Sequence, residues 1–261
     1  MYNCLTNLLL DCLRRGFDCI DESFKKDISK NLDDFWKSQY ANDLYYVSFV
    51  LLLIKALRGS INYEAKVEFE GLDLIHKCAL ARILFLLDKR DENLIKAISK
   101  EPINSVYDIF LKAGVMSDFE VDMKIDSFLN KLKFFSKFGG GFSNIINSQY
   151  SSNNASAAAL CGSYILGKSM PKKSVDFLMN NQDASGGFFA EKDSPIPDLL
   201  TTATSLFALS LYGFSPKYDA LDFIEAHCLD DAMFSATIKD DRGDLEYTFY
   251  GILAIGAMKS I

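Results

Sequence analysis

Residues 186–213 read GGFFAEKDSPIPDLLTTATSLFALSLYG, and this stretch decides how the rest of the chain is read. It opens with a Gly-Gly-Phe turn, crosses a short Pro-containing loop to Asp198, and continues as an apolar, small-residue run that stops at Gly213. Moved forward by 46 positions, Gly187-Phe188 falls on Met233-Phe234, Asp198-Leu199 on Asp244-Leu245 and Thr202 on Thr248. The preceding segment matches as well, with Asp176-Phe177-Leu178 answered by Asp222-Phe223-Ile224. Moved back by 46, Gly140-Gly141-Phe142, Ser152, Ser156 and Gly167 fall under Gly186-Gly187-Phe188, Asp198, Thr202 and Gly213. Agreement at a fixed period, without a gap, marks a repeat architecture.

Each repeat pairs two kinds of helix. The first kind, predicted over 152–167, 198–213 and 244–259, is nearly uncharged, as in SAAALCGSYIL and TATSLFALSL. The second kind, over 172–181 and 217–227, carries Lys172, Lys173 and Asp176, then Lys217, Asp219, Asp222 and Glu225. A helix apolar all round has to be buried on most sides, so the pattern predicts an all-α fold in two helical layers. Starts of the uncharged kind recur near 43, 74, 103, 152, 198 and 244, and six such pairs closed into a ring leave no repeat end unpaired.

The N-terminal half is less regular. It predicts helices at 2–15 and 17–29 broken near Gly16, a short element from Asp33, and a helix from Asp43 to Gly59. Two helices follow within 64–88, parted near Gly71, then elements at 91–99, from Pro102 to Gly114, and over 118–136. No linker or composition shift divides the chain, which reads as one domain over 1–261, with clear repeats over 129–259 and irregular hairpins over 1–128.

A net charge of −7 speaks against a nucleic-acid partner, which needs a cationic face. The six cysteines include no Cys-x-x-Cys and read as reduced thiols of a cytoplasmic protein, with Cys4, Cys12 and Cys19 on one helix face. The N-terminal apolar run carries Asp11 and no leading positive charge, so an amphipathic helix is expected rather than a signal peptide. The apolar segment Val47–Ile54 is too short to span a bilayer, and no transmembrane segment is expected.

Gly186-Gly187-Phe188, the Pro197-Asp198-led helix and the run DLEYTFYGILAI from Asp244 resemble the repeat of protein prenyltransferase β subunits and squalene–hopene-type cyclases. The resemblance covers about 129–259. It implies a double-layered α/α toroid around a central apolar cavity that takes an isoprenoid chain, and it makes a protein partner an expectation, since the β subunits pair with a helical subunit. The zinc ligands of the transferases would fall on Asp198, Leu200 and Tyr247, and leucine binds no metal. The cyclase acid motif would fall on Asp198-Leu199-Leu200-Thr201, with leucine in place of the proton donor. A diphosphate-binding histidine would fall on Ser152. Neither zinc nor any other cofactor is therefore expected.

Asp244 and Glu246 are left as the nearest approach to a paired-carboxylate catalytic site, with Asp198, Tyr247, Lys192 and Arg242 as candidate substrate-binding residues. Asp198 and Asp244 also stand at helix starts, where a side-chain oxygen caps the helix, and capping is the weightier reading of both. Two motif matches fail on physical grounds. Gly162–Ser169 spells a phosphate loop but lies at the end of a helix, where Gly167 suits a C-terminal glycine. Asp240-Asp241-Arg242-Gly243-Asp244 spells a magnesium-binding motif but sits in a loop, which leaves Mg²⁺ unsupported. His76 and His227 read as satisfied surface or core histidines. The expectation is an isoprenoid-handling protein, either a binder or a non-standard terpene cyclase or prenyltransferase. The alternative is a non-catalytic toroid scaffold that binds a protein partner.

Overall fold

The computed structural model describes residues 3–122, 125–169 and 171–260, and among them the chain is all-helical, with only isolated β-bridges. Six helices carry the apolar runs: α3 (Leu44–Arg58), α4 (Leu74–Leu86), α6 (Val106–Asp118), α8 (Asn153–Ile165), α10 (Leu199–Leu211) and α12 (Leu245–Met258). The others are α1 (Leu5–Asp18), α2 (Glu22–Phe35), α5 (Glu92–Lys100), α7 (Ile125–Phe135), α9 (Lys172–Asn180) and α11 (Leu221–Glu225). The six apolar helices start where the repeat pattern put them. Each is capped by a side chain that accepts a backbone N–H of its first turn: Asp43, Asp73, Ser105, Ser152, Asp198 and Asp244. Such a cap contributes about 1 kcal/mol.

The N-terminal half departs from expectation at five places. One lies within the helix expected over 118–136, where Asp118 ends α6 and 119–122 hold no helix. Helix α1 runs through Gly16, and α6 runs through Gly114 to Asp118. Both glycines mark close approaches: a Cβ on Gly16 would strike the Ile252 carbonyl of α12, and one on Gly114 would meet Leu5 of α1 at 2.5 Å. Asp33-Asp34-Phe35 is the last turn of α2, because Ile28, Leu32 and Phe35 continue one buried face. Residues 59–72 hold no helix. Gly59 closes α3 in the left-handed region (φ 75°), and 64–70 alternate polar with apolar residues, a period that suits no helix. Tyr2, Met123 and Lys124, within predicted helices, lie outside the described residues.

Packing follows chain order: α3 on α4, α4 on α6, α6 on α8, α8 on α10, α10 on α12, and α12 back on α3. The charged helices lie against these, α2 on α3, α5 on α4 and α6, α7 on α6, α9 on α8 and α11 on α12. Helix α1 belongs to neither set and packs on α12, α3, α6 and α4. Its cap residue Cys4 satisfies no N–H, and the C-terminal residue of α6 supplies the acceptor instead. Asp118 takes Thr6 N–H at 2.9 Å and the Thr6 hydroxyl at 2.6 Å. Against α12 the approach is tighter still, since a Cβ on Gly256 would overlap the Cys12 carbonyl.

The 46-residue period returns as a repeated set of hydrogen bonds. Phe142, Phe188 and Phe234 donate their N–H to the hydroxyls of Ser156, Thr202 and Thr248 at 2.9, 2.9 and 3.3 Å. Those hydroxyls donate in turn to the carbonyls of Ser152, Asp198 and Asp244, each at 2.7 Å. Consecutive units are tied by Asn153 N–H to the Ala190 carbonyl and Leu199 N–H to the Ala236 carbonyl. The turns need a left-handed residue at one column, filled by Gly140 (φ 99°), Gly186 (φ 96°) and Ala232 (φ 59°).

Replacing Thr202 by Val keeps the shape and leaves the buried Phe188 N–H without an acceptor. Urea unfolding should show a loss of about 1–3 kcal/mol. At the α1–α12 crossing, Gly256→Ala should cost about 1–3 kcal/mol or more, because backbone has to move. Gly114→Ala, where only the tip of Leu5 has to give, should cost less on the same measurement.

Candidate functional site

The apolar helices converge on a cavity of about 380 Å³. Helix α8 makes the room, because it offers Ala155, Ala157 and Ala158 where α6, α10 and α12 offer Phe110, Phe207 and Phe249. Tyr45 and Phe49 of α3, Tyr107 of α6 and Tyr250 of α12 complete an aromatic wall, and Leu9 brings α1 to its surface. Polar groups lie at the helix starts. Asn154 donates to the Thr201 hydroxyl at 3.1 Å and accepts from the Thr204 hydroxyl at 3.0 Å, and Ser152 caps α8. Cys161 also faces the cavity, and burial pushes its thiol up to about 12, so it stays a thiol at neutral pH.

None of the six candidate residues lies on the cavity wall. Glu246 comes closest. Its Oε1 accepts the Tyr45 hydroxyl at 2.6 Å, which connects it to the wall through one hydrogen bond. Burial raises the Glu246 carboxyl above its ordinary 4.5, and the Tyr45 hydrogen bond opposes the rise while the nearby Asp244 charge adds to it. Tyr45 is itself raised far above the ordinary phenol value, by burial first and then by Tyr250 and Glu246, so it remains a donor.

Asp244 caps α12, accepting Tyr247 N–H at 2.8 Å. Surrounding apolar groups push its pKa up, a direction that its open solvent contact limits. Asp198 likewise caps α10 and binds the Thr201 hydroxyl at 2.7 Å. Tyr247 packs near Tyr250, with ring centroids 6.2 Å apart, and its phenol is pushed up to about 12 by burial. Lys192 and Arg242 are exposed in the loops before α10 and α12. Leu200, which would stand in the metal-ligand column, lines the cavity. Among the described residues no group of three His, Cys, Asp or Glu side chains stands close enough to hold a metal ion.

Sequence reading missed Arg82, Tyr45, Tyr107 and Tyr250, all on the wall. Arg82 was discoverable as a charge inside the apolar run CALARILFL of α4. Two other sequence readings need correction. Cys19 is exposed at the end of α1 while Cys12 is buried, so the three N-terminal cysteines do not share one buried face. His227 is fully buried, its Nδ1 is paired to the Phe223 carbonyl at 2.8 Å, and among the described residues Nε2 has no partner. Burial lowers its pKa below 6.5 and favours the neutral ring. His76 is half-buried between the caps of α3 and α4, 2.8 Å from Asp73 and 3.6 Å from Asp43.

No known family model matches the chain, and no curated protein matches it either.

Because the Tyr45 hydrogen bond favours the carboxylate, Tyr45→Phe should raise the Glu246 pKa further. Carbon-13 NMR titration of the glutamate carboxyls, assigned against Glu246→Gln, should show that upward movement. An unchanged Glu246 titration would mean that the phenol is not its partner in solution.

Proposed function

We propose that the chain is an α/α toroid whose central cavity binds a short isoprenoid-type hydrocarbon. The packing order that returns from α12 to α3 supports the architecture. The observation that carries the function is the cavity itself: about 380 Å³, walled by seven aromatic side chains and opened by the alanines of α8. That volume lies toward the lower end of ligand pockets, roughly 300–1,000 Å³, which favours a short chain over a long polyprenyl. Each buried CH₂ contributes about 0.8 kcal/mol, so shape and apolar area suffice for binding without a metal or a covalent step. The acid–base pair beside the wall is Tyr45, which donates its hydroxyl, and Glu246, which accepts it. A cyclase- or transferase-like reaction would begin from that pair.

The scaffold reading has one observation in its favour. Phe134 in the last turn of α7 and Phe138, Ile145, Ile146 and Tyr150 in the loop that follows are exposed close together in sequence, apolar surface of the kind that marks protein contacts.

Cavity contents separate the two. Native mass spectrometry of the purified protein should show a retained small apolar molecule. Calorimetry with geraniol should show saturable binding that weakens about tenfold or more in Ala158→Phe, whose ring would occupy the cavity, with little change in melting temperature. A protein that carries nothing and binds no geraniol would leave the scaffold reading standing.

A further inference from the structure

Five polar side chains on the cavity wall are already engaged by the protein. The Tyr45 hydroxyl goes to Glu246, Asn154 and Thr204 bind each other, the Ser152 hydroxyl takes Ala155 N–H, and the Asn144 side-chain oxygen takes Tyr107 N–H. Arg82 is the conspicuous exception. Among the described residues it makes no ion pair and no hydrogen bond, and its Nε is buried without an acceptor. Among the described residues the hydroxyls of Tyr107 and Tyr250, on the same wall, find no acceptor either. Burial holds both phenols above their ordinary pKa, so both keep their protons at neutral pH.

Three donors facing one apolar cavity with no acceptor among them form an incomplete site. Arg82 is half-buried, with its Nε shut away from solvent and from any acceptor. That unmet donor is costly, and the cost is offset when an anion enters and accepts the forked N–H groups. The neighbouring carboxylates do not fill this role. Asp118, which feels the Arg82 charge, is taken up by Thr6 N–H, the Thr6 hydroxyl and the Cys4 thiol. Glu246 is taken up by Tyr45.

We infer that the cavity ligand carries a single negative charge, a carboxylate that Arg82 anchors with help from Tyr107 and Tyr250. One wall cation balances one charge. A diphosphate would bring several charges into a low-dielectric space that also has Glu246 at its edge, leaving most of them unmatched. The ligand class is therefore an apolar acid, such as an isoprenoid acid. This rests on the cavity reading above and narrows it.

Three ligands with one hydrocarbon body test it: geraniol, geranic acid and geranyl diphosphate, each titrated calorimetrically into the full chain at pH 7.5. Geranic acid should bind about tenfold or more tightly than geraniol, the range of a charge-assisted hydrogen bond, and more tightly than the diphosphate. Arg82→Met should erase the preference of acid over alcohol while leaving geraniol affinity within about threefold. Should that variant not fold, the comparison of acid with alcohol on the unaltered protein decides alone. Equal affinities for acid and alcohol, or tighter binding of the diphosphate, would overturn the inference and leave the cavity reading intact. Binding of none of the three would overturn the cavity reading, and the inference with it.

Discussion

A single hydroxyl, placed every 46 residues, holds the regular half of this molecule together. Ser156, Thr202 and Thr248 each accept the N–H of the turn phenylalanine and donate to the carbonyl of the residue that caps their own helix. The turn is thereby fastened to the start of the helix that follows it, at a buried position where an unmet N–H is costly. Because the link recurs at the same helical position, α8, α10 and α12 begin in equivalent ways, each with its cap and first-turn side chains beside the turn. The polar groups around the cavity, Ser152, Asn154 and Thr204 among them, inherit their places from this arrangement.

The cavity then depends on a mismatch of side-chain volume. Helices α10 and α12 bring Phe207, Phe249 and Tyr250 to the wall, while α8 brings alanine. Interiors ordinarily pack at crystal-like density, so small residues facing large ones leave space unless another element fills it. Helix α1 is that element in part. Its close crossing at Gly16 and Gly256 presses it onto α12, and Leu9 reaches the cavity wall. The same helix draws its N-terminal cap from Asp118 of α6, so its position is set from both ends. What stays open is the portion bordered by α8.

The regular half was legible because its chemistry is periodic. Asp198 and Asp244 declared themselves as caps, and both cap. The glycines of the first half misled because one residue type serves opposed purposes. Gly59 ends a helix with positive φ, while Gly16 and Gly114 sit inside helices where a neighbour comes too close for a side chain. Sequence spacing alone does not separate those uses, since the crowding partner of Gly16 is Ile252, at the other end of the chain. The wall residues were hidden for the same reason. Tyr45 and Glu246 are 201 positions apart and meet only through the fold.

The columns in which the resemblance implies metal and acid chemistry have a different character here. Leu200 and Ser152 reach the wall, one apolar and the other spent as a cap, while Asp198 bonds within its own first turn. The polarity of the wall lies instead on the arc made by α3, α4, α6 and α12, as Tyr45, Arg82, Tyr107 and Tyr250. Three of these four sit on helices in the half of the chain that shows no clear repeat, where the 46-residue pattern gave no template to search with. A polar cluster there serves the packing poorly, because an unpaired guanidinium and two idle phenols add nothing to an apolar core. Under the proposal above, a ligand carboxylate supplies the acceptor that these three donors lack and offsets that cost.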